Sequence, residues 1–584
     1  MTTFREQMRG FPLWQMVVVL MIRFSEPISF TSLFPYIYFM IRDFHITKDA
    51  SQISRYTGLL AASFAFSQFL CCIHWGRLSD RIGRKPVLLT GLCGSAVSLL
   101  VFGFAKNFYV ALAARTMAGA LNGNIAVLQT LVGELVKERR HQGIAFATLP
   151  LFWNVGCVIG PLIGGSKYLT RPRMEPQNNV GSVGLHSFYE LFITKHPYAL
   201  SNVVVAVMLL TSAVIGFLFL EETNARIRKR YDIGLAAGDV VRRCLGFHVP
   251  VRPWEYRKRT KVPIMEETSA LELDGDASVN SDDENTPLNG EPVAIYAPSL
   301  DSEDTEQIAG PLTRRLSLAV VRRYSEAYSL QPTILTATGA SEPEEHISLW
   351  AAFCDRDIFT YKVISTMVAY FLIVFHSLIY TEFVPVFLAG TYQRDRLSFP
   401  WHIKGGMGWH TQEIGSLLSS VGLVGCFMVI VIFPHMDRHM RTINGFRLAC
   451  CMFPIAYLVL PYIIFTTPGY NTALPPWFYR VFLYANSMIA VVGSSLAFPQ
   501  VTILVYRATK PKHRALVNAT TMCANSLARF IAPVTWGALT SFFDERGVTQ
   551  VPWNLLALLA VLSVFLAFSI DEYSEDIEDP QDLV

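Results

Sequence analysis

Twelve apolar stretches, most of them close to twenty residues or longer, recur along the chain and leave few folds open to it. They run over 13–40, 53–75, 86–105, 108–131, 143–167 and 200–220, and again over 358–388, 414–434, 446–465, 477–506, 515–542 and 553–570. The hydrocarbon core of a bilayer is about 30 Å thick, which a helix crosses in about 20 residues. Within it each backbone N–H and C=O must be satisfied inside the chain, so such runs cross as helices. The expected class is an all-α membrane protein of about twelve transmembrane helices. A composition of 52% hydrophobic and 16% charged residues fits that class. The first stretch does not read as a cleavable signal, being too long and carrying Arg23 and Glu26.

Lysine and arginine set the orientation of such a bundle. Arg77, Arg81, Arg84 and Lys85 follow the second stretch, Lys137, Arg139 and Arg140 the fourth, Arg438 and Arg441 the eighth, and Arg507, Lys510, Lys512 and Arg514 the tenth. All fall on one side if both termini are cytoplasmic, although Arg171, Arg173, Arg394 and Arg396 lie opposite. The expected organisation is a cytoplasmic N-terminus (1–12), a six-helix bundle (13–220), a largely disordered cytoplasmic loop (221–356), a second six-helix bundle (357–570) and an acidic cytoplasmic tail (571–584). The loop passes from basic to acidic to basic and cannot bury enough apolar surface to fold alone. Residues 232–247 and 313–330 within it read either as amphipathic helices on an anionic leaflet or as solvated linker. Arg314-Arg315-Leu316-Ser317 resembles a basophilic kinase site, which makes a kinase a possible partner at Ser317. The net charge of +3 says nothing for nucleic acid.

The halves align as a repeat. Placing Pro35 on Pro385 puts Glu26 on His376; placing Asp80 on Asp437 puts Arg81 on Arg438; placing Pro161 on Pro533 puts Gly165 on Gly537. Three weak matches in one order, six stretches apart, imply two pseudo-symmetric halves.

Between the second and third stretches lies Gly76-Arg77-Leu78-Ser79-Asp80-Arg81-Ile82-Gly83-Arg84-Lys85. The two glycines suit a tight connection between antiparallel helices, and Asp80 is a lone acid among four bases. The string resembles the Gly-x-x-x-Asp-Arg-x-Gly-Arg-Lys signature of the major facilitator superfamily. The resemblance implies the major facilitator fold and makes Gly76, Asp80, Arg81, Gly83, Arg84 and Lys85 a conformational latch.

Charges inside spans cost about 2.5–3.5 kcal/mol each on insertion scales and need a reason. Arg23 and Glu26, three apart on one helix face, read either as a structural pair or as proton or substrate groups. Arg115, Asn122 and Gln129 form a polar stripe on the fourth stretch that should face the interior. Arg115-Thr-Met-Ala-Gly119 resembles the superfamily's fourth-helix motif, which implies a role in proton coupling; the alternative is that Arg115 neutralises a buried acid such as Glu26. His376, Glu382 and Arg529 are the corresponding candidates in the second half, with Arg529 expected to point inward toward an anionic group. For His376, packing or hydrogen bonding competes with titration.

Gly156, Gly160, Pro161, Gly164 and Gly165 in the fifth stretch follow the Gly-x-x-x-Gly-Pro-x-x-Gly-Gly pattern of the superfamily's antiporters. They are expected to pack helices, not to bind ligand. The first stretch, Arg23-Phe-Ser-Glu26-Pro27-Ile-Ser-Phe-Thr31-Ser32-Leu-Phe-Pro35, is similar to the zinc-induced-facilitator-like transporters of plants and their fungal relatives, on the drug:proton antiporter side of the superfamily. No His/Cys cluster has zinc-ligand spacing, so no metal site is expected. No Walker A string occurs, which argues against ATP as energy source. The expectation is a non-enzymatic secondary transporter of a small solute. It would be driven by a proton gradient, need no cofactor, function as a monomer and reside in the vacuolar or plasma membrane. An inward facilitator or symporter, and a receptor signalling through the loop, stand as alternatives.

Overall fold

A computed structural model describes residues 10–136, 139–173, 185–224, most of 227–254, 358–510 and 513–571. Ser317, residues 313–330, most of the N-terminus and most of the acidic tail lie outside these.

All twelve expected stretches contain helix. In the first half these are α1 (Leu13–Thr31) with α2 (Ile37–Asp43), α3 (Ile53–Ile82), α4 (Arg84–Gly103), α5 (Phe108–Leu121) with α6 (Asn124–Leu135), α7 (Arg139–Gly164) and α9 (Ala199–Phe219). A short helix, α8 (Leu185–Lys195), precedes α9, and α10 (Ile233–Cys244) follows it. The second half holds α11 (Tyr361–Ala389), α12 (Thr411–Phe427), α13 (Phe433–His439), α14 (Thr442–Val459), α15 (Phe478–Ala508), α16 (Arg514–Glu545) and α17 (Gln550–Ser569). A π-helical turn, Met428–Ile432, carries α12 into α13. Among the described residues eight helical spans are long and apolar enough to cross a membrane, and α3, bent by 47°, makes a ninth; α5 and the 148–164 part of α7 are shorter apolar helices.

Two stretches expected to be continuous are broken. The first turns at 32–36, between α1 and α2, at Pro35. The fourth breaks at Asn122–Gly123, between α5 and α6. The carbonyls released there are not left bare: Trp75 Nε1 donates to the Ala120 carbonyl (2.6 Å) and Gln68 Nε2 to that of Asn122 (3.3 Å), both from α3. An interrupted helix at membrane depth needs such partners.

The halves meet along two helix pairs, α3 on α16 and α7 on α12. Glycine faces glycine at each. A Cβ on Gly537 would lie 3.2 Å from the Cα of Gly58, and one on Gly165 2.8 Å from the Cα of Gly415. At each, too, a proline carbonyl four residues earlier, that of Pro533 or Pro161, abuts the partner's glycine. The alignment of Pro161-Gly165 on Pro533-Gly537 therefore corresponds to two equivalent interfaces.

These contacts lie at one end of the bundle, here called the far end; Leu13, the Ile82–Arg84 turn, Leu220 and Ile570 lie at the other, the terminal end. Apolar packing divides the same way. Leu33, Phe34, Tyr36–Ile41, Ile53 and Leu60 of the first half join Ile379, Phe383, Val386 and Leu388 of the second in one core. Toward the terminal end the first half keeps a separate core around Met16, Leu88, Leu131 and Leu209, and the second half has a small cluster of its own at Ile358, Val363, Val505 and Val517. The apolar core shared by the halves thus lies toward the far end, where a cavity of about 320 Å³ also opens between them, and the first half's core toward the terminal end is its own.

Candidate functional site

The ten-residue turn does not behave as one unit. Gly76 lies inside α3 with open space where a side chain would be, so it is not a turn residue. Gly83 is one: at φ 109° and ψ 162° it caps α3 and starts α4. Glu222, just beyond α9, folds back and accepts the backbone N–H groups of Arg84 and Lys85, both at 3.0 Å. The carboxylate thereby occupies the positive end of α4, where orphan donors and the helix dipole favour an anion. A Cβ on Gly83 would collide with that carboxylate.

Arg84 is buried and bridges Asp80 (2.5 Å) and Glu134 (2.9 Å). Thr223 Oγ1 donates to Glu134 (2.5 Å), and Asn224 Nδ2 to the Asp80 carbonyl (2.9 Å). Lys85, also buried, pairs with Asp232 (2.7 Å). Arg77 and Arg81 are exposed.

Residues 221–254, expected to belong to the loop, include a segment fastened to the first half. Gly234 and Gly238 of α10 rest on the carbonyls of Phe217 and Leu218. Arg242 stacks over Trp14 and Phe219, at 4.9 and 5.3 Å. Arg252 bridges Asp239 and Glu221, both at 2.6 Å. Burial works against the Arg252 charge, but its bonds to Asp239 and Glu221 outweigh that and hold its pKa above the ordinary guanidinium value. Residues 232–247, read either as a helix on the leaflet or as solvated linker, hold α10, whose buried face of glycine, leucine and charge packs on the first half instead.

Inside the spans, Arg23 and Glu26 pair at 2.6 Å on α1. Asn122 Nδ2, at the break in the fourth stretch, donates to the other Glu26 oxygen (3.3 Å), and the Arg23 guanidinium lies 4.6 Å from the centre of the Trp153 ring. Arg115 takes no part in this pair. It is buried over Phe64 (4.7 Å), its Nε has no hydrogen-bond partner among the described residues, and its electrostatic partners are Glu382 and Tyr36. Glu382 comes from the other half, on α11, is 7% exposed, and has one carboxylate oxygen unbonded. It also feels Arg529 of α16. Gln129 is half-buried on α6, away from this group in the hydrogen-bond pattern. His376 is fully buried, with Nδ1 2.9 Å from the Tyr457 hydroxyl and its ring edge-on to Phe453. The structure therefore gathers Arg23, Glu26 and Asn122 in one cluster, and Arg115, Glu382 and Arg529 in another that spans the halves.

The fifth-stretch glycines divide by face. Side chains at Gly156, Gly160 and Gly164 would strike Pro27, Thr31 and Ser32 of the first stretch, whereas Gly165 meets Gly415. One helix thus grips α1, which carries Glu26, and the opposite half together. Sequence reasoning missed Glu134, Glu222 and Asp232 as partners of the basic turn, and Trp153 beneath Arg23. The available signal was the turn's own excess of buried positive charge, which demands acids.

The sequence profile of the Major Facilitator Superfamily matches residues 19–478. The chain belongs to the major facilitator superfamily. The multidrug transporter mfsB of Aspergillus fumigatus, itself named as a member, is 32% identical over 98% of this chain and 85% of its own length. Protein ZINC INDUCED FACILITATOR-LIKE 1 of Arabidopsis thaliana is 36% identical over 28% of this chain and 34% of its own. Among solved structures, the nucleoside transporter NupG aligns with a TM-score of 0.52 at 10% identity, over 95% of this chain and 100% of that one. A POT family transporter aligns at 0.53 and 12%, over 97% of each. At these identities the structural likeness establishes the major facilitator fold. This facilitator is a membrane transporter and not an enzyme. Among the described residues no group of three metal-ligating side chains could hold an ion.

Proposed function

We propose that the protein is a proton-coupled antiporter that exports a small organic or metal-chelate solute by alternating access. Support comes from one observation above others: the apolar core shared by the halves lies at the far end, and the first half's core toward the terminal end is its own. That packing fits a state open to one side, with a cleft between the halves and the in-span charges beneath the shared core. With both termini cytoplasmic, the open side is the cytoplasm, from which an exporter loads. All twelve stretches would then cross the membrane, in bundles 13–220 and 357–570. The names of the relatives, a multidrug transporter and the efflux pump azaK of Aspergillus niger, point the same way.

Glu26 and Glu382 are the carboxylates placed to carry protons. Glu26 is held by Arg23 and Asn122, and Asn122 sits at a helix break, so movement of that break would loosen the carboxylate. Glu382 and Arg115 come from different halves and lie within electrostatic range, so rocking of the halves would change the field at the carboxylate. The turn around Asp80 would latch one state through Arg84, Glu134 and Glu222. The membrane is the vacuolar or plasma membrane. Glu26→Gln and Glu382→Gln in proteoliposomes test this reading. The proton-carrying residue, when neutralised, should lose accumulation against a gradient and keep substrate exchange. Undiminished accumulation in both variants would remove the proposed proton sites.

A further inference from the structure

The in-span charges do not balance. Arg23 is matched by Glu26 at 2.6 Å, whereas Arg115 has only the more distant field of Glu382 from the other half. Arg115 and Arg529 share that single acid, and among the described residues neither has an ion-pair partner within 4 Å, so one positive charge is unmatched; of the two, Arg115 is 5% exposed and Arg529 is exposed.

Arg529 also stands in an unusual place on its helix. One turn before it on the same face, Asn525 is 6% exposed; one turn after it, Pro533 is buried. Yet Arg529 is exposed. Leu527, about 200° around the helix, is 44% exposed and marks the outward face. A residue exposed between two buried neighbours on an inward face borders open space inside the bundle. A charge at membrane depth is tolerated there because the space is wet. A second unsatisfied group stands beside it: the Asn525 side-chain oxygen is buried without a hydrogen-bond partner among the described residues. The nearby rings are Phe530, which packs on Phe66 of α3 with centroids 4.8 Å apart, and Tyr370 of α11, within electrostatic range.

We infer that the cleft takes small organic acids, with Arg529 holding the anionic group. The planar guanidinium fork suits a carboxylate, and one anion neutralises the one unmatched charge. The cleft's role as the solute path is the part of the transporter reading on which this rests; proton coupling is not.

Equilibrium binding therefore tests it separately from coupling. Purified full-length protein in nanodiscs, with no pH gradient, is titrated with benzoate, benzyl alcohol and benzylammonium, read by thermal shift and tryptophan fluorescence. Benzoate should bind saturably and about tenfold or more tighter than either analogue. Arg529→Gln should erase the preference, and Arg529→Lys should retain the preference with weaker binding. The Lys variant keeps the test decisive if the Gln variant folds poorly. No benzoate binding, tighter binding of benzylammonium, or a benzoate preference that survives Arg529→Gln would each overturn the assignment. A failure of pH-driven flux with the benzoate preference intact would count against antiport alone.

Discussion

The two glycines of the basic ten-residue string should respond to alanine with opposite signs. Gly83 occupies φ 109° and ψ 162°, a region essentially closed to side chains, where a non-glycine residue costs about 1–3 kcal/mol. Its new Cβ would also displace the Glu222 carboxylate, which accepts two backbone N–H groups at 3.0 Å. Losing those charge-assisted bonds, partly replaced by water, adds about 1–3 kcal/mol. The sum for Gly83→Ala is about 2–6 kcal/mol. For a first half that melts as one unit of this size, the drop is on the order of 10 °C. Gly76 meets nothing within 4 Å and sits in a helix interior, so Gly76→Ala should be neutral or stabilising by about 0.5–1 kcal/mol. Fluorescence-detected size-exclusion of heated, detergent-solubilised protein measures both. Equal losses for the two variants, or a Gly83→Ala protein as stable as wild type, would refute the carboxylate-capped turn.

Asp80→Asn should fold with a stability change below about 1 kcal/mol, because Asp80 is 41% exposed and Arg84 keeps Glu134, yet transport should be lost; near-normal flux in a correctly inserted variant would take Asp80 out of the mechanism. Lys85→Asp and Asp232→Lys should each lower the melting temperature, and the double exchange should recover about 1–3 kcal/mol, measured as a double-mutant cycle. Deleting 266–304 should leave flux in vesicles intact, since the segment that fastens to the bundle ends before it; loss of flux would show that the loop does more than regulate.

The helices were legible because the bilayer imposes a length and an apolar content on each crossing. Their interruptions were not, because each is only a few residues long and lies between strongly apolar flanks. The local signals were nonetheless present, Pro35 in the first stretch and Asn122-Gly123 in the fourth, and hydropathy outweighed them. The repeat was legible at Pro161-Gly165 and Pro533-Gly537 because close helix contact constrains both residue type and spacing. It failed to separate Gly76 from Gly83, which look alike in sequence and differ in φ. Glu26 was legible as the partner of Arg23, three residues away. The placement of Arg115 opposite Glu382 was not, since it joins residues from two halves and depends on how those halves are set. For the same reason Glu222, some 140 residues from the turn it caps, carried no sequence signal of its own.

Alternating access driven by proton exchange is the central claim, and the sign of the gradient tests it. Reconstituted protein is given a solute that it demonstrably exchanges, and uptake into the vesicles is followed under imposed pH gradients. An acidic interior should drive accumulation, an alkaline interior should not, and a protonophore should abolish the difference. Accumulation driven instead by an acidic exterior, or uptake indifferent to the gradient, would contradict antiport.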